Sequence, residues 1–311
     1  MRSPFRKSDA SRALVRNTIT QLRSQQQGLI MYGAMRRRHD PVHRRAPSAL
    51  LRFLDMHILQ ITDPHLYGNA GGTLRGVQTD ASVRSVLEDA IARFPEFAAV
   101  LMTGDLVQDD PSGYLRFRSI FGNLRKPVLC IPGNHDEPDA MRRELSQAPF
   151  QYCGTHAAGG WQFIMLDSYD AGHVGGRLSV QELERLDRAL AMSPAHAMVC
   201  LHHHPVAMDS RWLDSVGLAN ADDFWRIIDS HSQVRAIAWG HVHQAYDGER
   251  RGVRLYATPS TGAQFLPKSE RYALDSRPPA YRSFNLSSDG SISTQVHWVE
   301  SLPMRQTAAA R

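Results

Sequence analysis

Short apolar runs recur between residues 57 and 239, and five of them stop abruptly at acidic, amide or imidazole side chains. HILQIT ends in Asp63-Pro64-His65 and AAVLMTG ends in Asp105. VLCIPG ends in Asn134-His135-Asp136, AMVCL in His202-His203-His204-Pro205, and VRAIAWG in His241-Val242-His243. Such runs, at 57–61, 98–102, 128–131, 162–166, 197–201 and 234–239, read as buried strands. Helical patterns lie between several of them. Val83, Val86, Leu87, Ala90, Ile91 and Phe94 share one helical face, and Phe224, Ile227 and Ile228 share another. Ser179 followed by Glu182 is a capping-box signature that opens a helix over 180–191. Strands alternating with helices specify an α/β fold.

The last sixty residues change character. Residues 254–257, and Ser288-Asp289-Gly290-Ser291 flanked by SFNL and ISTQVHWV, read as hairpins. They predict a second, more antiparallel sheet. No repeat or linker interrupts residues 55–302, which read as one domain, with 303–311 a C-terminal tail.

Open α/β sheets bind ligands at the carboxyl ends of their strands, so the five polar clusters are expected to converge on one crevice. Two Asp, one Asn and several His are ligand types for divalent transition metals. Asp63 and His65 stand two residues apart, as do His241 and His243. In extended backbone that spacing turns both side chains of a pair to one side. Two such pairs plus the carboxylate of Asp105 exceed what one ion needs. The count argues for two metals bridged by a carboxylate, with a water or hydroxide between them. In-line displacement at phosphorus is the chemistry such a pair serves. No Walker loop, G-x-S-x-G or G-x-G-x-x-G motif competes.

Net charge first points elsewhere. Lys and Arg number 36 against 31 Asp and Glu, a formal charge of +5. Twelve of the basic residues and only two acidic ones fall in residues 1–54, so 24 basic and 29 acidic residues remain for the body. An acidic body gives no case for nucleic-acid binding. Residues 1–54 lack periodicity and an apolar signal core, and read as a disordered or non-native basic extension. A transit peptide, a tail for anionic partners, and a start at Met31, Met35 or Met56 are the other readings. No apolar run approaches the length of a membrane span. Three cysteines, Cys130, Cys153 and Cys200, are too few for a disulfide scaffold and fit a reducing, cytoplasmic location.

Two loops near the polar clusters read as substrate contacts. Arg75 follows the first cluster, and Trp212-Leu213-Asp214 follows the histidine run, where the tryptophan reads equally as a packed loop anchor. Asp109 and Asp110 read as a turn or helix start.

In this order, D-x-H, G-D, G-N-H-D, H-x-P and G-H-x-H resemble the metallophosphoesterase (calcineurin-like) superfamily. ILQITDPHL, LRGVQT, TGDLVQD, CIPGNHD, LHHHP followed by WLD, and ATPST with a nearby QF look like its class III cyclic nucleotide phosphodiesterase branch. The resemblance covers about residues 56–300. It implies a four-layer α/β/β/α sandwich with two mixed sheets. It implies that Asp63, His65 and His243 hold one metal, that Asn134, His203 and His241 hold a second, and that Asp105 bridges them. The spacing H-x-P selects His203 within the triple histidine. His135 is then the proton donor on the leaving-group side, with Asp136 orienting it, and Asn134, His135, Arg75 and Trp212 meet substrate.

The implied activity is hydrolysis of 3′,5′-cyclic AMP to 5′-AMP by a metal-bridging hydroxide. The alternative is a broader phosphodiesterase acting on glycerophosphodiesters or 2′,3′-cyclic nucleotides. The loops around Arg75, Trp212 and Gln264 would separate the two. Iron and manganese are the implied metals, with zinc or cobalt also suited to the ligand set. By the same analogy, copies of the chain pair as homodimers.

Overall fold

The computed structural model describes residues 55–300. The expectations for residues 1–54 and 303–311 lie outside the described residues. In chain order the first half runs β1 (Met56–Ile61), the short hairpin β2 (Thr73–Leu74) and β3 (Val77–Gln78), α1 (Thr79–Arg93) and β4 (Ala99–Met102). It continues with α2 (Gly113–Phe121), β5 (Val128–Cys130), α3 (Pro138–Glu144) and β6 (Phe150–Tyr152). The second half runs β7 (Gly154–Ala158), β8 (Trp161–Met165), α4 (Val180–Ala191) and β9 (His196–Cys200). Then follow α5 (Arg211–Asp214), α6 (Ala221–Ile228), β10 (Val234–Trp239), β11 (Tyr246–Arg250) and β12 (Val253–Ala257). A second short hairpin, β13 (Gln264–Phe265) and β14 (Leu274–Asp275), precedes β15 (Ala280–Leu286) and β16 (Ile292–Trp298).

Two six-stranded sheets result, with orders β16-β15-β1-β4-β5-β6 and β11-β12-β10-β9-β8-β7. In the first, β1, β4, β5 and β6 pair in parallel, while β15 and β16 add antiparallel at one edge. In the second, β8, β9, β10 and β12 pair in parallel, and β7 and β11 close the two edges antiparallel. Both sheets are therefore mixed. The hairpins expected from the last sixty residues form, but they do not make a sheet of their own. After β12 the chain crosses to the first sheet, so β11–β12 and β15–β16 finish edges of different sheets. A local hairpin signal carries no information about which edge the hairpin joins.

Period-two alternation divides the core into three layers. Ile58, Leu101, Leu129, Phe163, Met198, Ala236 and Phe284 fill the space between the sheets. Leu59, Ile61, Val100 and Met102 face the other way, onto Val83, Val86, Leu87, Ala90 and Phe117 of α1 and α2. Val199, Leu201 and Ile237 likewise face Leu186 and Leu190 of α4 and Phe224 of α6. The layering is the α/β/β/α sandwich. At α4, Ser179 accepts from the Glu182 amide at 3.1 Å, which is half of the expected capping box. Glu182 turns instead to the amide of Asp167 at 2.7 Å and so ties the helix to the end of β8.

Arg282, which donates to the Ala257 carbonyl at 3.0 Å, and Gln60 bring polar groups into the middle layer. Gln60, fully buried near the end of β1, donates to Thr103 at 2.9 Å and to the Trp239 carbonyl at 3.0 Å. It accepts from Thr258 at 2.6 Å. All its polar atoms are satisfied, so it fixes the spacing of the two sheets just below their carboxyl ends.

Candidate active site

Each parallel strand that ends in a polar cluster delivers it to the same edge, and the clusters of the two sheets meet there. His65 Nε2 lies 3.2 Å from His243 Nε2, 3.7 Å from an Asp105 oxygen and 4.0 Å from an Asp63 oxygen. His243 Nε2 lies 3.3 Å from Asp63 and His202 Nε2 lies 3.4 Å from Asp105. Among the described residues, four overlapping groups of three bring ligand atoms within 4.8 Å of one another. Together they contain Asp63, His65, Asp105, His135, His202, His203, His241 and His243. Asn134 lines the same small cavity, and its Oδ1 is buried without a partner.

The backbone brings the pairs together by a route other than extended chain. Asp63, His65, His241 and His243 have φ of 52°, 46°, 65° and 48°, and Asp105 has 51°. All five occupy the left-handed region, which non-glycine residues rarely adopt and which concentrates at functional sites. They stand in loops just past the strand ends. The glycines of the motifs are steric requirements. A Cβ on Gly104 (φ 100°) would come within 2.2 Å of His202 Nδ1, and one on Gly133 within 2.2 Å of an Asp105 oxygen.

Ring partners set which nitrogen each histidine presents. His243 Nδ1 donates to the Ala263 carbonyl at 2.7 Å and His202 Nδ1 to the Thr103 carbonyl at 2.7 Å, leaving Nε2 of each for the site. His241 Nε2 donates to the Val216 carbonyl at 3.1 Å, leaving Nδ1. A backbone carbonyl behind the ring is the usual support of a metal-bound imidazole. His203 differs: its Nδ1 meets the Ser168 hydroxyl at 2.9 Å and its Nε2 the Val174 carbonyl at 3.2 Å. The H-x-P spacing selected His203, yet the ring turned on Asp105 with an unpartnered buried nitrogen is that of His202.

Electrostatics call for cations. Burial alone would raise the Asp105 carboxyl, but the His202 and His65 imidazoles hold it well below its ordinary value. Burial would likewise raise Asp63, and His243 overcomes it. Burial drives His65 down to about 3 and pushes His203 and His241 well below the usual imidazole range. His202 alone goes up, to about 9, because Asp105 outweighs its desolvation. Two ionised carboxylates among imidazoles, with an orphaned nitrogen on His202 and an orphaned amide oxygen on Asn134, form a donor set that fits two metal ions.

Two expectations change at the third loop. Asp136 does not touch the His135 ring. Its carboxylate accepts from the amides of Leu106 (3.0 Å), Val107 (3.3 Å) and Gly133 (2.9 Å) and from the Tyr114 hydroxyl (2.9 Å). It therefore splices the G-D loop to the G-N-H-D loop. Burial, then Asp105, raises this carboxyl to about 7. His135 Nδ1 meets Asp109 instead, both of whose oxygens lie 3.0 Å away, and the Gln108 side-chain amide, whose Nε2 lies at 2.9 Å. Asp109 had read as a turn, and its left-handed φ of 51° aims it back at the imidazole. Asp110 is the turn residue, accepting from Gly68 and Ser112. The His135 amide itself donates to Asp105 at 2.8 Å.

Arg75 and Trp212 both line the cavity with the metal-type residues, as does Phe265, the aromatic of the QF dipeptide, which was not read as a site residue. Phe265 stacks on His243 with ring centroids 4.2 Å apart. Trp212 packs edge-on against Phe265 and Tyr272. Arg75 (φ 50°) sits in the β2–β3 turn with its guanidinium over Phe265 and its Nε 2.5 Å from the Tyr272 hydroxyl. Gln264 turns inward, bonded to Ser260 and Gly262. Among the described residues no helix is long and apolar enough to cross a membrane.

Comparison with known proteins gives a consistent picture. The calcineurin-like phosphoesterase family model matches residues 56–245. The Haemophilus influenzae 3′,5′-cyclic adenosine monophosphate phosphodiesterase CpdA is 39% identical over 250 residues, covering 78% of this chain and 90% of the relative. The Vibrio vulnificus protein of the same name is 41% identical, covering 77% and 88%. Among solved structures, a dimetal phosphatase from Danio rerio superposes with a TM-score of 0.55 at 13% identity, covering 79% of this chain and 99% of that one.

Proposed function

The chain belongs to the calcineurin-like phosphoesterase family, and on that premise we propose that it hydrolyses 3′,5′-cyclic AMP to 5′-AMP. It is a metal-dependent phosphodiesterase with two metal ions as cofactors. The observation that carries the choice of substrate is the 39% identity, over nine-tenths of its length, to a relative named for that activity. Asp63, His65 and His243 would hold one ion, and Asn134, His241 and His202 the other, with Asp105 between them. Preferring His202 to His203 rests on the ring whose free nitrogen faces Asp105. The mixed nitrogen and oxygen set suits iron or manganese first, and zinc or cobalt also. Three free cysteines fit a cytoplasmic setting. When bound, the ions supply charge neutralisation at the phosphoryl oxygens and a more acidic attacking water.

The chain's own residues do the rest. Asn134 and His135 flank the cavity where the phosphoryl group sits. Asp109 takes the His135 Nδ1 proton in a hydrogen bond, which fixes the ring and leaves Nε2 to protonate the 3′ oxygen as the P–O3′ bond breaks. Asp105 anchors the His135 amide, so the acid and the carboxylate between the ions move as one unit. Arg75, held over Phe265 and Tyr272, offers a cation at the rim for the phosphodiester charge.

The test is a purified protein, its metals measured, assayed on cyclic AMP, cyclic GMP, 2′,3′-cyclic AMP, glycerophosphodiesters and a chromogenic diester. Preference for cyclic AMP is expected, and its absence from that panel refutes the substrate while leaving the family in place. His135→Ala should cut turnover by about 10³-fold with metal content unchanged. Equal loss of metal would make His135 a ligand instead of an acid.

A further inference from the structure

The cavity that holds the metal-type residues has a volume of about 90 Å³. That is room for about three water molecules at the liquid share of ~30 Å³ each. It accommodates ions and a phosphoryl group but not a nucleoside. A second cleft of about 790 Å³ adjoins it, and Val174 and Val216 line both. The carbonyls of these two valines hold His203 and His241, so the partition is built from the same backbone that orients the centre. Small-ligand sites typically span about 300–1,000 Å³ and are mostly apolar with a few convergent polar groups.

The polar group at the inner wall of the larger cleft is His204. It is only 3% exposed, and both of its ring nitrogens are buried without a partner. Buried polar atoms are normally satisfied, and one that is not calls for an explanation. Its ring lies parallel to that of His241, with centroids 5.8 Å apart, so it stands between the cleft and the centre. At the outer rim, Asp170 and Arg177 lie 3.7 Å apart and offer a carboxylate and a guanidinium.

We propose that this second cleft is the nucleoside subsite, which takes the base and ribose beside the Asp170–Arg177 pair while the phosphodiester reaches past Val174 and Val216 to the metal centre. The inference rests on the cyclic-nucleotide reading and deepens it, since the metal centre handles phosphorus and is indifferent to the base.

Ala219→Trp and Ala207→Trp fill the cleft from its exposed side, and neither residue belongs to the centre. In either variant, kcat/KM for cyclic AMP should fall about tenfold or more through KM, because binding and not chemistry is removed. Hydrolysis of bis(4-nitrophenyl) phosphate, which has no nucleoside, should stay within about twofold, with bound metal unchanged. Two variants guard against one that misfolds. Unaltered cyclic AMP kinetics in both, or proportional loss of both substrates in both, overturns the inference alone. A wild-type protein that cleaves the chromogenic diester but not cyclic AMP overturns the functional reading, and the inference with it.

Discussion

The two sheets meet at one site but supply different chemistry. The first contributes both candidate carboxylate ligands, Asp63 and Asp105, together with Asn134, His65 and His135, while the second contributes imidazoles only. All the negative charge that can balance a cation therefore comes from one side. The second side offers imidazole donors whose supports are backbone carbonyls, at Thr103, Val216 and Ala263. This division suits the energetics of burial. A buried imidazole loses its charge and persists as a lone-pair donor, whereas a buried carboxylate persists ionised only when positive groups surround it. The structure shows both outcomes within a few ångströms: His241 pushed well down by burial, and Asp105 held well down in spite of it.

The largest effect should come from breaking the charged side. Asp105→Asn removes the carboxylate that faces both sheets, so bound metal should fall and turnover drop by about 10⁴-fold, several kcal/mol of charge stabilisation being lost. Full metal occupancy in that variant would show that Asp105 is not the bridge. The neutral side should be more forgiving and more revealing. His202→Ala is expected to lose one equivalent of metal and about 10²-fold in activity, against less than about tenfold for His203→Ala. Metal analysis of the two variants side by side decides between them, and the reverse ranking restores the H-x-P assignment.

The smallest effect asks whether the behaviour of buried imidazoles belongs to the site or to the fold at large. His297 lies on β16, stacked on Tyr281 and next to Phe94, far along the chain from every candidate ligand. Burial first, then Arg93, lowers its pKa below the ordinary imidazole value. A depressed histidine contributes stability above its unfolded pKa of about 6.5, and loses it as pH falls through the lower folded value. The thermal midpoint should accordingly fall from pH 7.5 to about 5.5, and less so in His297→Gln. An identical slope in the two proteins would remove His297 as a contributor.

Much of this division was legible from the strand ends. The order of the clusters and their meeting at one edge follow from where apolar runs stop, whereas the division of Asp63, His65, Asp105, Asn134, His241 and His243 between two ions is what the family resemblance implies. The order and the meeting are statements about chain position, which a strand's direction converts directly into space. The remaining features depend on torsions and on ring orientation. Which of three consecutive histidines faces Asp105 depends on a loop whose hydrogen bonds lie 34 to 99 residues away in sequence, at Ser168 and Thr103. Asp109 and Asp136 both flank His135 in space, and only the left-handed turn at Asp109 shows which one reaches the ring. Phe265 and Tyr272 enter the site from a hairpin marked only by the QF dipeptide, and apolar side chains at a rim leave no periodic trace.

The left-handed backbone has a consequence for how such a chain changes over generations. Five candidate ligands, Asp63, His65, Asp105, His241 and His243, adopt it at one site. Each costs on the order of 1 kcal/mol relative to ordinary backbone, together comparable to the whole net stability of a modest domain. Replacing them with glycine or asparagine would relax that strain and abolish turnover in the same step. Drift alone should therefore carry the fold toward a more robust and inert molecule. Selection on hydrolysis is the force that keeps this corner of the protein uncomfortable.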